Sequence, residues 1–394
     1  MRIALISMAG DGASEVRLAG HPMAWHQLQA VLALACERAV CLADAPGPAL
    51  ATLQHEAERA GLSFHAVTHH RALSGLVHAG DTLVAFAPGV LPDREWLAQA
   101  FGARAGVAVL PAEGAIEQGF ERIDRERAWA GVLATRGDAV EALAALPPDA
   151  DAIGGLLRVA LQRGVTAISV PEKWLDDGRW ALVGSQASAE RYQQGWYARH
   201  VPPPALVQPG RAGAYRLART LVDRARNARQ VALGLLSGGA AVAVASAVGG
   251  YLGHTALALA GLTLSAMLSA TGTTVTRLAS AGSGERTRTW PGEARRALLD
   301  LSLVAIAASP SAFEGWTAGF AALVLVTVMR LADDPAAPKP LRPLADRGVV
   351  FAVLTAAAIA NVLPPVMAVL GLVGLALQLF WPRSAANAGL TTSR

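Results

Sequence analysis

Short apolar runs recur through the first 170 residues, several of them flanked by a segment of helical periodicity. They read RIALIS (2–7), RAVCLAD (38–44), LSFHAV (62–67), DTLVAFAP (81–88), GVAVLPA (106–112), WAGVLA (129–134) and VTAISV (165–170). Runs this short that are apolar throughout fit strands covered on both faces. Helices are predicted over 22–35, 46–60, 137–145 and 150–163. Strands separated by helices of this length imply a doubly wound, mostly parallel α/β sheet. Ligands of such sheets lie beyond the carboxyl ends of the strands.

The pattern changes after residue 230. Six longer apolar segments follow, at 231–252, 254–274, 297–310, 313–329, 348–363 and 364–381. A membrane-crossing helix needs about 20 mainly apolar residues, so this half is expected to be an all-α, six-helix transmembrane domain. The expected organisation is a cytosolic domain over 1–200, a linker and basic juxtamembrane helix over 201–229, the membrane domain over 230–382 and a cytosolic tail over 383–394.

Composition agrees: 53% of residues are hydrophobic and only 16% charged, too apolar for an ordinary soluble chain. Arginines alternate from loop to loop. Arg211, Arg216, Arg219, Arg224, Arg226 and Arg229 precede the first segment, and GYLGH after it has none. Arg277, Arg286, Arg288, Arg295 and Arg296 follow the second, and SPSAFEG has none. Arg330, Lys339, Arg342 and Arg347 come next, NVLPP has none, and the tail carries Arg383 and Arg394. By the positive-inside rule both termini face the cytoplasm of a multi-pass inner-membrane protein. Trp290 and Trp316 are expected as interfacial anchors, and the arginines of 211–229 as contacts to anionic head groups of the bilayer.

The net charge of +4 is modest and the arginines flank apolar segments, so nucleic acid is not an expected partner. The start of the chain lacks the pattern of a cleaved signal peptide. The two cysteines, Cys36 and Cys41, read as buried core thiols.

The first strand-to-helix turn is AGDGASEVRLAGHP (9–22). Gly10 and Gly12 would let backbone approach a phosphate. Glu15 stands where a dinucleotide fingerprint needs its third glycine, so an ordinary turn is an equal reading. With its helix the stretch resembles the opening of sugar-nucleotidyltransferases. That resemblance makes Gly10, Gly12 and Arg17 the nucleotide loop and puts His21-Pro22 in the place of Lys-Pro. It also implies two Mg²⁺-binding aspartates, where this sequence has Ala87-Pro88 and, in WALVGSQAS (180–188), Leu182 and Gly184. Attack on the α-phosphate of CTP requires that metal. Asp93, Asp124, Asp176 and Asp177 are the nearest acids, and each also reads as a turn or surface group.

The helical half resembles the CDP-alcohol phosphotransferases, in particular the form fused to inositol-phosphate cytidylyltransferase. That family carries Asp-x-x-Asp-Gly-x-x-Ala-Arg and then Gly-x-x-x-Asp-x-x-x-Asp, whose four aspartates hold two metals on a CDP diphosphate. GEARRALLD (292–300) keeps Gly292 and Asp300, with Arg296 at the intervening acid. LSATGTTVTR (268–277) keeps Gly272 and has Arg277 just past the motif, with Leu268 and Thr271 at the acid positions. The resemblance implies Asp300 as the base, and Arg296, Arg277, Gly292 and Gly272 as contacts to a CDP-activated or lipid substrate. It also implies a homodimer and Mg²⁺, most of whose ligands are missing. The same residues read alone are loop charges and a helix-end acid.

Two functions follow. One is transfer of a phospho-alcohol group in phospholipid head-group synthesis; the other is a non-catalytic scaffold or regulator that still binds nucleotide or lipid. A transporter is the weaker third, since the helices hold few charged groups. Convergence of Glu285, Glu293, Asp333 or Asp334 on Asp300 would favour transfer.

Overall fold

The computed structural model describes all residues except 11–15, 103, 144–145, 148–149, 206, 226, 282–289, 310–315, 335 and 382–394, together with the side chains of Trp290 and Trp316. Gly12, Glu285, Arg226, Arg286, Arg288, Arg383, Arg394 and both tryptophan anchors therefore lie outside what is described. The chain separates into two units, one of Met1–His200 and a helical one beginning at Val201.

The first unit is an α/β sandwich. Its strands are β1 (Arg2–Ser7), β2 (Arg17–Leu18), β3 (His21–Pro22), β4 (Arg38–Leu42), β5 (Ser63–Val67), β6 (Thr82–Phe86), β7 (Val90–Leu91), β8 (Gly106–Pro111), β9 (Arg127–Arg136), β10 (Ala167–Ser169) and β11 (Ala181–Leu182). Seven of them form one sheet in the order β10-β8-β9-β6-β1-β4-β5. All neighbours are parallel except β9, which runs antiparallel to both β6 and β8. Each apolar run singled out in the sequence is a strand of this sheet. Ile3, Leu5, Ile6, Val40, Leu83, Val84, Val132 and Leu133 are fully buried, which is why these strands show no polar alternation. Cys36 and Cys41 are buried too, and burial pushes both thiols up to about 12.

Two small pairings sit at the edge of this frame. β2 and β3 form a hairpin whose central residues, Ala19 and Gly20, both have positive φ (53° and 82°), as a two-residue turn of matching twist requires. The Gln193 side chain accepts from the Ala19 amide, and the His26 ring bonds the Leu18 carbonyl at 2.9 Å. β7 pairs with β11 behind Gly89 (φ +75°), where a Cβ would meet the Val183 carbonyl oxygen at 2.5 Å.

The second unit is all-α. Helices stand at all six apolar segments: Ala228–Tyr251, Thr255–Ala279, Trp290–Ala307, Trp316–Ala332, Arg347–Ile359 and Leu363–Phe380. Three of them, Ala228–Tyr251, Thr255–Ala279 and Leu363–Phe380, are long and apolar enough to cross a membrane. The third helix begins seven residues before the apolar run it was read from, because its first turns carry charges that pair with one another. The basic segment forms a helix over Pro209–Arg224, shorter than 211–229. It gives way before Asn227, whose side chain caps the next helix by accepting from the Gln230 amide. Its buried face is Ala214, Tyr215, Ala218 and Val222, while Leu217 is exposed.

Candidate functional site

A cavity of about 430 Å³ opens within the helical unit. One wall is a stripe of the Thr255–Ala279 helix, where Ala266, Ser269, Ala270, Thr273, Thr274 and Arg277 recur at helical spacing. The start of the Trp290–Ala307 helix supplies Gly292, Arg295 and Arg296. The Pro209–Arg224 helix supplies Arg211 and Tyr215, and Asp333, Asp346 and Arg347 complete the ring. Five arginines thus face two aspartates.

Those two acids are already engaged. Asp346 accepts from the Arg211 amide at 3.0 Å and caps the Arg347–Ile359 helix at Val349, so one buried carboxylate serves the first turns of two helices. The fit needs Gly210, where a Cβ would lie 2.5 Å from an Asp346 oxygen. Asp333 receives Arg347 Nη1 and Arg211 Nη2, each at 2.7 Å, with Arg296 Nη1 at 3.7 Å. Burial alone would raise the Asp333 carboxyl, but Arg347 and Arg211 outweigh it and hold it below its ordinary value.

Asp300 is not on the cavity wall. It is 4% exposed and held by two guanidinium groups. Arg347 Nε donates to Oδ1 at 2.9 Å and Nη2 to Oδ2 at 3.3 Å, while Arg330 Nε reaches Oδ2 at 2.5 Å. Arg296 pairs with Glu293 at 2.6 Å and with Asp333, not with Asp300. The acids thus converge through arginines: Arg347 links Asp300 to Asp333, and Arg330 links Asp300 to Glu293.

Arg277 and Arg295 differ from the rest. Both line the cavity, and neither has a carboxylate partner among the described residues. The charges acting on Arg277 are those of Arg211 and Arg296, and the charge acting on Arg295 is that of Arg296. A concave wall with guanidinium groups that have no carboxylate partner among the described residues, and with nearby hydroxyls, suits an anion with several oxygens, phosphate or diphosphate above all.

The sequence-derived substrate contacts are thus divided. Arg277, Arg296 and Gly292 line the cavity. Gly272 faces the neighbouring helix, where a Cβ would come within 2.8 Å of Leu236 Cγ. Arg330 and Arg347 had been read only as loop charges, and Arg211 as a head-group contact of the basic juxtamembrane helix. Their signal was the acids Asp333 and Asp346, which share the same helix ends, and Asp300, inside the Trp290–Ala307 helix.

In the first unit, Gly10 has φ +107° and its amide donates to Asp44 at 2.9 Å, and Gly12 is outside the described residues. The Arg17 guanidinium donates to the Gly20 carbonyl at 3.1 Å within its own hairpin. The His21 ring stacks on Trp25, with centroids 3.9 Å apart. Ala87 is buried, its carbonyl accepts from Gln27, and its Cβ faces Gly131. Leu182 lies in the β7–β11 pair. Asp93 caps the Arg94–Phe101 helix and pairs with Arg179, and Asp124 pairs with Arg127. Among the described residues of the chain no three His, Cys, Asp or Glu side chains gather as a metal site.

No family model and no curated protein matches the chain. Among solved structures it is similar to a UDP-glucose pyrophosphorylase complexed with UDP-glucose, at 14% identity over 50% of this chain and 99% of that one, with a TM-score of 0.36. It is also similar to the inositol-1-phosphate CTP transferase from T. maritima, at 12% identity over 50% of this chain and 95% of that one, with a TM-score of 0.38.

Proposed function

We propose that this is a multi-pass inner-membrane protein, its termini in the cytoplasm, that binds a phosphate-bearing head group or CDP-activated alcohol in the cavity of its helical unit. By descent it is a CDP-alcohol phosphotransferase with a fused nucleotidyltransferase-like domain; in its present form it binds without transferring. The observation that carries this reading is the pair Arg277 and Arg295, two guanidinium groups with no acid partner among the described residues, facing one cavity. Transfer is disfavoured by the state of Asp300. A general base must lie within reach of the acceptor hydroxyl, and Asp300 is 4% exposed, lies off the cavity wall and is held by two guanidinium groups.

The full chain in nanodiscs of neutral lipid, titrated with CDP-glycerol, tests this. Saturable binding without release of CMP, with glycerol or inositol phosphate supplied as acceptor, is the expected result. A parallel titration against nanodiscs containing phosphatidic acid separates a soluble nucleotide ligand from a lipid head group. CMP release would establish transfer instead.

A further inference from the structure

The resemblance to CDP-alcohol phosphotransferases implies a pair of divalent metals beneath the diphosphate, and the donor set here does not fit them. Such a cation takes carboxylate oxygens with lone pairs directed at it. Asp333 and Asp346 line the cavity and Asp300 lies off its wall. All four oxygens of Asp300 and Asp333 accept from guanidinium nitrogens, and both oxygens of Asp346 accept from the backbone amides of Arg211 and Val349. Arg347, only 7% exposed, donates to both Asp300 and Asp333 at once, so a fixed monocation already neutralises them. A metal would have to displace charge-assisted hydrogen bonds, the stronger class, and would leave the Arg347 charge stranded.

We infer that the phosphate groups of the ligand are held here by guanidinium groups alone, without a divalent cation. Arg277 and Arg295 neutralise the ligand, and Arg347 with Arg330 neutralises the acids that a metal would otherwise have used. This rests on the reading of the cavity as a phosphate site. Its consequence is a ligand bound as the free anion and not as its magnesium complex. Added Mg²⁺ then competes for the ligand instead of assisting it.

The test uses the full chain in neutral nanodiscs and CDP-glycerol as probe, titrated once in EDTA and once in millimolar Mg²⁺. The expected result is saturable binding in EDTA that Mg²⁺ leaves within about a factor of two or weakens. Arg277→Gln with Arg295→Gln, an exposed and a half-buried wall position, should weaken binding in EDTA by at least about tenfold. Binding that appears only with Mg²⁺ would overturn the inference while leaving the phosphate site standing. Absence of binding in both conditions would overturn the site and the inference together. Mn²⁺ added to the ligand-free protein gives a second readout by electron paramagnetic resonance. The free-ion signal should persist undiminished, and a bound-ion signal abolished by Asp333→Asn would refute the inference.

Discussion

Both units lack the carboxylates that their resemblances imply, but they lack them in different ways. In the α/β unit the positions are filled by apolar packing: Ala87 faces Gly131 in the core, and Leu182 pairs in a two-stranded ribbon. In the helical unit Asp300 stands at one of the four acid positions that the resemblance implies, and it and Asp333, which is outside the motif, are each paired with two arginines. Apolar filling removes the means of recognising a phosphate–metal complex. Arginines in the place of metals would still suit the phosphate itself. The difference places the proposed phosphate site in the helices.

The largest effect is expected where the helical network is cut. Asp300 and Arg347 have side chains only 5% and 6% exposed. Removing one partner of a buried pair leaves an uncompensated charge, so Arg347→Ala should lose about 3–5 kcal/mol. Thermal unfolding in detergent, followed by circular dichroism, checks this. A loss below about 1 kcal/mol would mean that the network is ornamental.

Next comes a carboxylate returned to the α/β unit. Ala87→Asp should cost about 3 kcal/mol, because it places an acid in apolar packing, and should confer no Mg²⁺ binding. Denaturant unfolding gives the first value and calorimetry with Mg²⁺ the second. Recovered metal binding would erase the contrast between the two units.

A pH effect belongs to the α/β unit as well. Burial pushes the His26 imidazole down to about 3, with its Nε2 on the Leu18 carbonyl. Above its ordinary pKa of 6.5 both the folded and unfolded forms are neutral and the full stability is present. Below it the unfolded chain takes up the proton first, so stability falls by about 1.4 kcal/mol per pH unit until the folded pKa is reached. Trp25 and Trp196 ring the imidazole, so tryptophan emission reports the transition. His26→Gln should flatten the slope, and an unchanged slope would assign it elsewhere.

The smallest effect is expected at a surface pair. Arg163 and Asp138 are 2.6 Å apart, but their side chains are 41% and 39% exposed. Arg163→Ala should change stability by no more than about 0.5 kcal/mol in denaturant unfolding. A loss comparable to that of Arg347→Ala would undo the argument from burial.

Much of the fold was legible because burial on both faces leaves an apolar run no room for disguise. RIALIS and DTLVAFAP are strands wherever the sheet places them. The antiparallel direction of β9 was not legible, since WAGVLA reads alike in a parallel or an antiparallel neighbour. In the site, Arg277 and Arg296 were found through motif spacing. Arg211, Arg330 and Arg347 were not, because a cation at a helix end serves equally as a topology signal or as a partner to a buried acid. Only the packing of distant helix ends decides which, and it turns Asp300 away from the cavity that its motif position implied.

The central claim is that Arg277 and Arg295 make the cavity a phosphate site. Its most direct test is the binding isotherm of CDP-glycerol to the full chain beside the Arg277→Gln, Arg295→Gln double variant, in EDTA and neutral nanodiscs. Tight, salt-sensitive binding by the parent that falls at least about tenfold in the variant is the predicted result. Equal affinity in both proteins would contradict the account and place the ligand, if there is one, somewhere other than this cavity.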